Sequence, residues 1–164
     1  MVVVVMGVTG TGKSTVGKRL ASSMVLPFIE GDDFHDPANV EKMRRGVPLT
    51  EEDRGPWLDK LRTEILRHES GAVLACSALT AAFRHRLVSG VEGVRFVLLR
   101  ADVGLLRERL EARKGHFAGV DLLDSQLNLL EEPDDAVTVD VDAPEDDIVR
   151  RIRTELLGEG AGSG

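Results

Sequence analysis

Residues 1–15 read MVVVVMGVTGTGKST: an apolar run from Val2 to Met6 passes directly into the glycine-rich stretch GVTGTGKS, Gly7 to Ser14. The stretch matches G-x-x-x-x-G-K-[ST], the pattern in which loop amides and the N-terminus of the next helix converge on phosphate oxygens. With glycine at about 7% of average residues, a chance match in a chain of this length is on the order of half a percent. Val16, Leu20 and Met24 then recur at helical spacing, so the motif stands between a strand and a helix, where a phosphate loop belongs. Gly7, Gly10 and Gly12 permit the tight backbone. Lys13 would reach the β- and γ-phosphates of ATP, and the Ser14 hydroxyl would be a ligand of Mg²⁺. Gly7, Val8, Thr9, Gly10, Thr11, Gly12, Lys13, Ser14 and Thr15 are therefore the candidate nucleotide-binding residues.

The same alternation continues outward. Apolar runs at Pro27 to Glu30, Ala72 to Cys76, Val94 to Leu99 and Ala136 to Val141 are each followed by a helical pattern, which predicts an α/β fold with a five-stranded parallel sheet. Trp57, Leu58, Leu61, Ile65 and Leu66 form one apolar stripe, and Ile148, Val149, Ile152 and Leu156 another; both read as core. Thr50 and Asp53 have the spacing of a capping box ahead of the first stripe, and Gly71 stands where a left-handed residue would end its helix. At 164 residues the chain suits one domain, here 1–157, followed by a glycine-rich tail, 158–164, with little to bury.

Composition narrows the function. Twenty-one basic residues against 28 acidic ones give a net charge of -7, which opposes nucleic-acid binding in the absence of a basic stripe. The opening apolar run is too short for a membrane span and lacks a basic region before it, so a cytoplasmic protein without membrane attachment is expected. Cys76 is the only cysteine and lies in an apolar run, the setting of an inert core thiol. A guanine-reading N-K-x-D element is absent, which favours a compact phosphotransferase over a GTPase.

The acceptor side should follow the second strand, because ligands of open α/β sheets sit beyond the carboxyl ends of strands. There the chain reads FIEGDDFHDPANVEKMRRGVPLTEEDRGPWL, residues 28–58, bringing Glu30, Asp32, Asp33 and His35 toward the transferred phosphoryl group. Asp32 is the candidate base or orienting group for an acceptor hydroxyl, with His35 beside it. No aspartate ends the third strand at Ala75-Cys76-Ser77, so Mg²⁺ would rely on Ser14, nucleotide oxygens and water, with Glu30 or Asp32 in an outer sphere. Asp102, Asp140 and Asp142 read as structural or adenine-side loop residues.

These residues carry a resemblance. GVTGTGKST, GDDFH, Asn39, Lys42-Met43, Gly46, Pro48-Leu49, Asp53-Arg54, Pro56-Trp57-Leu58, Cys76-Ser77-Ala78-Leu79 and Ala112-Arg113-Lys114-Gly115-His116-Phe117 together resemble the gluconate kinase (gluconokinase) family, from the first strand to about Pro144. The resemblance implies a P-loop, nucleoside-monophosphate-kinase-like fold with a small lid, about 113–133, and the reaction of ATP with D-gluconate to give 6-phosphogluconate, usually in a homodimer. It also makes Arg54, Arg113, Lys114 and His116 candidates for clamping the gluconate carboxylate or the phosphates, Arg113 as a catalytic cation, and places Pro144 near the adenine. A guanidinium suits both anions because it bonds them bidentately. Two departures from the family pattern stand out: Asp36 separates His35 from Pro37, and Ala118-Gly119-Val120-Asp121 replaces the Met-Pro that follows His-Phe. A shikimate-type or nucleotide kinase, suggested by Phe28-x-Glu30-x-Asp32, and a non-catalytic ATP-sensing module are the alternatives.

Overall fold

The structure, a computed structural model, describes residues 1–112 and 117–158, and their side chains except those of 117–121. Strand β1 (Val2–Met6) is the centre of a five-stranded parallel sheet, joined by β2 (Phe28–Glu30), β3 (Ala72–Ala75), β4 (Val94–Arg100) and β5 (Val137–Asp140) in the order β2-β3-β1-β4-β5. Between β3 and β4, β1 holds register through Val3 opposite Val73 and Val5 opposite Val97. Both faces of such a strand are covered, which is why its sequence is an unbroken apolar run rather than an alternating one.

The helices are α1 (Lys13–Met24), α2 (Pro37–Arg44), α3 (Glu51–Arg67), α4 (Ala81–Leu87), α5 (Val103–Glu111), α6 (Phe117–Leu129) and α7 (Glu145–Leu157). The period-2 geometry of β1 divides them between two layers. Val2, Val4 and Met6 join a core with Leu58, Leu61 and Ile65 of α3 and Phe83 and Leu87 of α4. Val3 and Val5 join the other, with Val16 and Leu20 of α1 and Ile148 and Ile152 of α7. A third cluster places Val8 of the phosphate loop on Leu106 and Leu110 of α5 and Leu123 of α6. Each such side chain contributes about 1.5–3 kcal/mol on burial, so Val8 anchors the loop on α5 and α6.

The capping box at Thr50 is formed: its hydroxyl accepts from the Asp53 amide at 3.1 Å, and Asp53 Oδ2 accepts from the Thr50 amide at 2.9 Å. Two expectations need correction. Leu66 does not belong to the buried stripe of α3; it is 50% exposed, one residue and 100° past Ile65. Gly71 does not end α3 either, since the helix stops at Arg67 with His68 as its cap. Gly71 instead takes a φ of +108° at the entry to β3, where a Cβ would collide with the Met1 carbonyl. The inserted Asp36 is the residue before α2 and pairs with Lys60 of α3 at 2.7 Å, while Pro37 takes the first helical position, where a missing N–H costs nothing.

Candidate active site

The C-terminal ends of all five strands open on one side of the sheet, and the candidate residues gather there. The loop after β1 is built on positive φ: +148° at Gly7, +87° at Gly10 and +88° at Gly12. At Gly7 a Cβ would come within 2.8 Å of the Leu99 carbonyl, so only glycine lets the loop leave the sheet. Val8 turns its carbonyl to the loop's own donors, accepting from Thr11 Oγ1 at 2.8 Å and from Lys13 Nζ at 3.1 Å. Thr11 is thereby a buried brace. Gly12 caps α1 without a side-chain acceptor, and the first turn of α1 carries no acidic residue, so its N-terminal amides keep the positive end of the helix dipole directed at an anion.

Ser14, in that first turn, donates its hydroxyl proton to Glu30 at the end of β2. A serine hydroxyl so committed has its lone pairs left for a hard cation, which fits the donor set of a Mg²⁺ site beside phosphates. Of Glu30 and Asp32, it is Glu30 that touches Ser14. Among the described residues no group of three or more His, Cys, Asp or Glu side chains could hold a metal by itself.

Two cavities flank the loop. One, of about 430 Å³, lies between Thr9 and Lys13 of the loop, Asp32 and His35, Val40 and Met43 of α2, Leu49, Arg54 and Trp57 around α3, and Ser125 and Gln126 of α6. The other, of about 400 Å³, is bounded by Gly10, Gly12 and Thr15, by Arg109 of α5, and by Val141, Ala143 and Glu145 after β5. Lys13 and Thr9 belong to the first and Thr15 to the second, so the loop is the partition between them. Pro144 stands between Ala143 and Glu145 as the residue that caps α7.

Asp32 sits on a short 3₁₀ turn, Gly31–Phe34, immediately after β2, and His35 is the residue that caps its C-terminal end. Gly31 fits against β3 so closely that a Cβ would collide with the Ala75 carbonyl, and its own carbonyl accepts the Trp57 indole N–H at 2.8 Å. The His35 ring stacks on Trp57 with centroids 4.0 Å apart and planes inclined by 16°. Its side chain is 2% exposed whereas that of Asp32 is 76% exposed, with 3.9 Å between Nε2 and Oδ1. Burial holds the His35 pKa below the usual imidazole value, outweighing the raising effect of Asp32. Asn39 orients the ring: its Nδ2 donates to the Asp53 carbonyl at 2.9 Å and lies 3.4 Å from His35 Nδ1. An amide nitrogen has only protons to offer, so Nδ1 is the acceptor and the neutral ring carries its proton on Nε2, toward Asp32.

Arg54 is 8% exposed. Its Nη1 donates to the Leu49 carbonyl at 2.8 Å and its guanidinium lies 4.9 Å over the Phe83 ring, yet no carboxylate among the described residues forms an ion pair with it. Burial lowers its pKa while Asp53 and Glu51 raise it. Asp53 is committed elsewhere: a bond from Lys42 at 2.7 Å pulls its carboxyl down to about 2.

Arg113, Lys114 and His116 lie outside the described residues, as do the side chains of the 118–121 departure. Four residues before Arg113 in the sequence, Arg109 donates to the Gly10 carbonyl at 3.2 Å, a contact across 99 residues that the sequence reading missed. Gln126 was also passed over; its Oε1 accepts from the Thr9 amide at 2.6 Å. The signal for both was positional. Arg109 follows the buried Leu106 by three residues and Gln126 follows the buried Leu123 by three, so each borders a packed helical face. Asp102 and Asp140 are structural, accepting from the Gly104 and Asp142 amides at 2.8 Å. Cys76 is buried, and burial pushes its thiol up to about 12.

The family described as an AAA domain matches residues 3–121. A gluconokinase from Gluconobacter oxydans is 48% identical over 136 residues, 80% of this chain and 76% of that protein. The crystal structure of a gluconokinase from Sinorhizobium meliloti superposes with a TM-score of 0.87 at 42% identity, covering 96% of this chain and 91% of that one. A shikimate kinase from Aquifex aeolicus shares the fold alone, with a TM-score of 0.62 at 20% identity over 99% of this chain and 100% of that one. The phosphate loop, the 3₁₀ turn with Asp32 and His35, and the arginine-bearing helix beyond it thus occur in a chain that belongs to the gluconokinase family of P-loop kinases.

Proposed function

We propose that this protein transfers the γ-phosphoryl group of ATP to the terminal hydroxyl of D-gluconate, giving 6-phospho-D-gluconate and ADP. The observation that carries the acceptor is Arg54, a buried guanidinium without an acidic partner among the described residues, on the wall of the cavity that also holds Lys13 and Asp32. A buried charge is costly unless an opposite charge meets it, and a carboxylate on the substrate is such a partner.

The amides of the loop and of the α1 N-terminus hold the phosphates, with Lys13 at the β- and γ-oxygens. Ser14, oriented by Glu30, would be the protein ligand of Mg²⁺, which when bound neutralises charge developing on those oxygens. The second cavity, with Thr15, Arg109 and Ala143, receives the nucleoside. In the first cavity Arg54 takes the gluconate carboxylate, and His35, as a neutral Nε2–H donor, bonds an acceptor oxygen next to Asp32. Asp32 orients the reacting hydroxyl and takes its proton as the oxygen bonds to the γ-phosphorus and the bond to the β,γ-bridging oxygen breaks. Arg113, Lys114 and His116 belong to the same proposal as cations closing over the anions. The working unit is residues 1–157, acting as a homodimer.

Steady-state kinetics with ATP, Mg²⁺ and either gluconate or glucose test the reading. Glucose lacks the carboxylate and leaves Arg54 unpaired, so it should be poorer by roughly 10⁴ in kcat/KM. Arg54→Lys keeps charge but loses the planar fork, and should raise KM for gluconate more than KM for ATP. Equal kcat/KM for the two sugars would defeat the assignment.

A further inference from the structure

Gln126 is a polar group of the acceptor cavity whose chemistry the phosphoryl transfer leaves unused. Gln126 lies on α6, which is held in place at several points: Arg107 of α5 pairs with Asp124 at 2.9 Å, Leu123 is buried, and the Glu131 amide donates to the Leu79 carbonyl at 2.8 Å just past the helix. From this support the side chain reaches the phosphate loop, where it meets the Thr9 amide at 2.6 Å.

A backbone N–H can only donate, so the Gln126 atom facing Thr9 is the oxygen. That fixes the rest of the planar amide. Its Nε2 has no hydrogen-bond partner among the described residues, and Gln126 lines the same cavity as Lys13, Asp32 and Arg54. A half-buried amide with its acceptor committed and two protons left over is a positioned donor. It stands next to the loop that holds the phosphates, while the carboxylate of the substrate is held by Arg54. The oxygens of the acceptor nearest to Gln126 are then its chain hydroxyls.

We propose that Gln126 is a specificity-determining residue for the acceptor, bonding through Nε2 to one hydroxyl of the gluconate chain while its Oε1 ties that hydroxyl's position to the phosphate loop. This rests on gluconate being the acceptor. One side chain then spans the two substrates: its oxygen senses the loop and its nitrogen the polyol, so the reacting hydroxyl is held in register with the γ-phosphorus.

The test compares wild type and Gln126→Met, an uncharged side chain of similar length, at saturating ATP on gluconate and on the set of monodeoxy gluconates lacking one hydroxyl between carbons 2 and 5. Circular dichroism confirms folding, and if the Met variant does not fold, Gln126→Glu, which keeps an oxygen for the Thr9 amide, serves in the same comparison. Loss of a hydrogen bond that leaves a polar group unpaired should lower kcat/KM for gluconate about tenfold to hundredfold. One monodeoxy substrate should be equally poor with wild type and should lose nothing further in the variant, the coupling expected of groups in contact. A variant that lowers gluconate and every monodeoxy analogue by the same factor would show Gln126 to be only a brace for the loop, and an unchanged kcat/KM would remove it from the site; either overturns the proposal. Wild type inactive on gluconate would instead refute the assigned reaction.

Discussion

Trp57→Phe isolates the bond that holds the turn carrying Asp32. The indole Nε1 of Trp57 donates to the Gly31 carbonyl at 2.8 Å, and Gly31 is the residue before Asp32. Phenylalanine keeps an aromatic face for the stacked His35 ring but has no donor. Removing one partner of a buried hydrogen bond costs about 1–3 kcal/mol. For a chain of this size each kcal/mol moves Tm by roughly 2–4 °C, so the variant should melt roughly 2–12 °C below wild type. The kinetic effect is separable from this, because the freed carbonyl lets the 3₁₀ turn shift and Asp32 with it. A misplacement of about 1 Å can cost 10²-fold in rate, and kcat should fall about tenfold or more while KM for ATP, held by a loop anchored on other residues, stays near wild type. Thermal unfolding by circular dichroism and a coupled ADP assay below the variant's Tm read the two effects. A wild-type Tm would mean that the bond contributes nothing to the fold; a lowered Tm with unchanged kcat would refute the claim that Trp57 positions Asp32.

Lys13→Ala should abolish transfer and leave the far-ultraviolet spectrum unchanged, because the lysine stabilises phosphoryl charge without filling either core layer; near wild-type turnover would defeat the phosphate-loop assignment. Asp32→Asn should lower kcat by about 10² to 10⁴, the range of a lost general base, with little change in KM for ATP; an unchanged kcat would move the proton to another acceptor. Burial holds the folded pKa of His35 below its unfolded value, so the unfolded chain takes up the proton first and stability should fall as pH drops through about 6.5. His35→Gln should flatten that acid limb in melts recorded between pH 7 and 5, and an unaltered limb would show that the ring is not the group responsible.

What could be read from the sequence follows the range of the interaction that decides it. The strand-loop-helix of residues 2–24 is local: apolar run, glycines and helical period lie within a few turns of chain, and the structure reproduces them. The Thr50–Asp53 box is as local, spanning three residues. Leu66 marks the limit of pattern reading, since apolar character does not fix on which side of a helix boundary stripe a residue falls. Gly71 marks another, because its positive φ answers to the Met1 carbonyl, far away in sequence. The site shows the same division. Ser14, Lys13 and Asp32 are visible through motifs, but the Ser14–Glu30 bond depends on β2 lying two strands from β1, and the Thr9–Gln126 bond spans 117 residues and depends on how α6 packs. Arg54 shows why chemistry, and not position alone, has to close the argument. Its charge is plain in the sequence, yet only its burial against Phe83, with no carboxylate pairing with it among the described residues, distinguishes it from a surface cation. Under the proposed reaction the gluconate carboxylate is the partner of that guanidinium, and a sugar without a carboxylate has no means of meeting it.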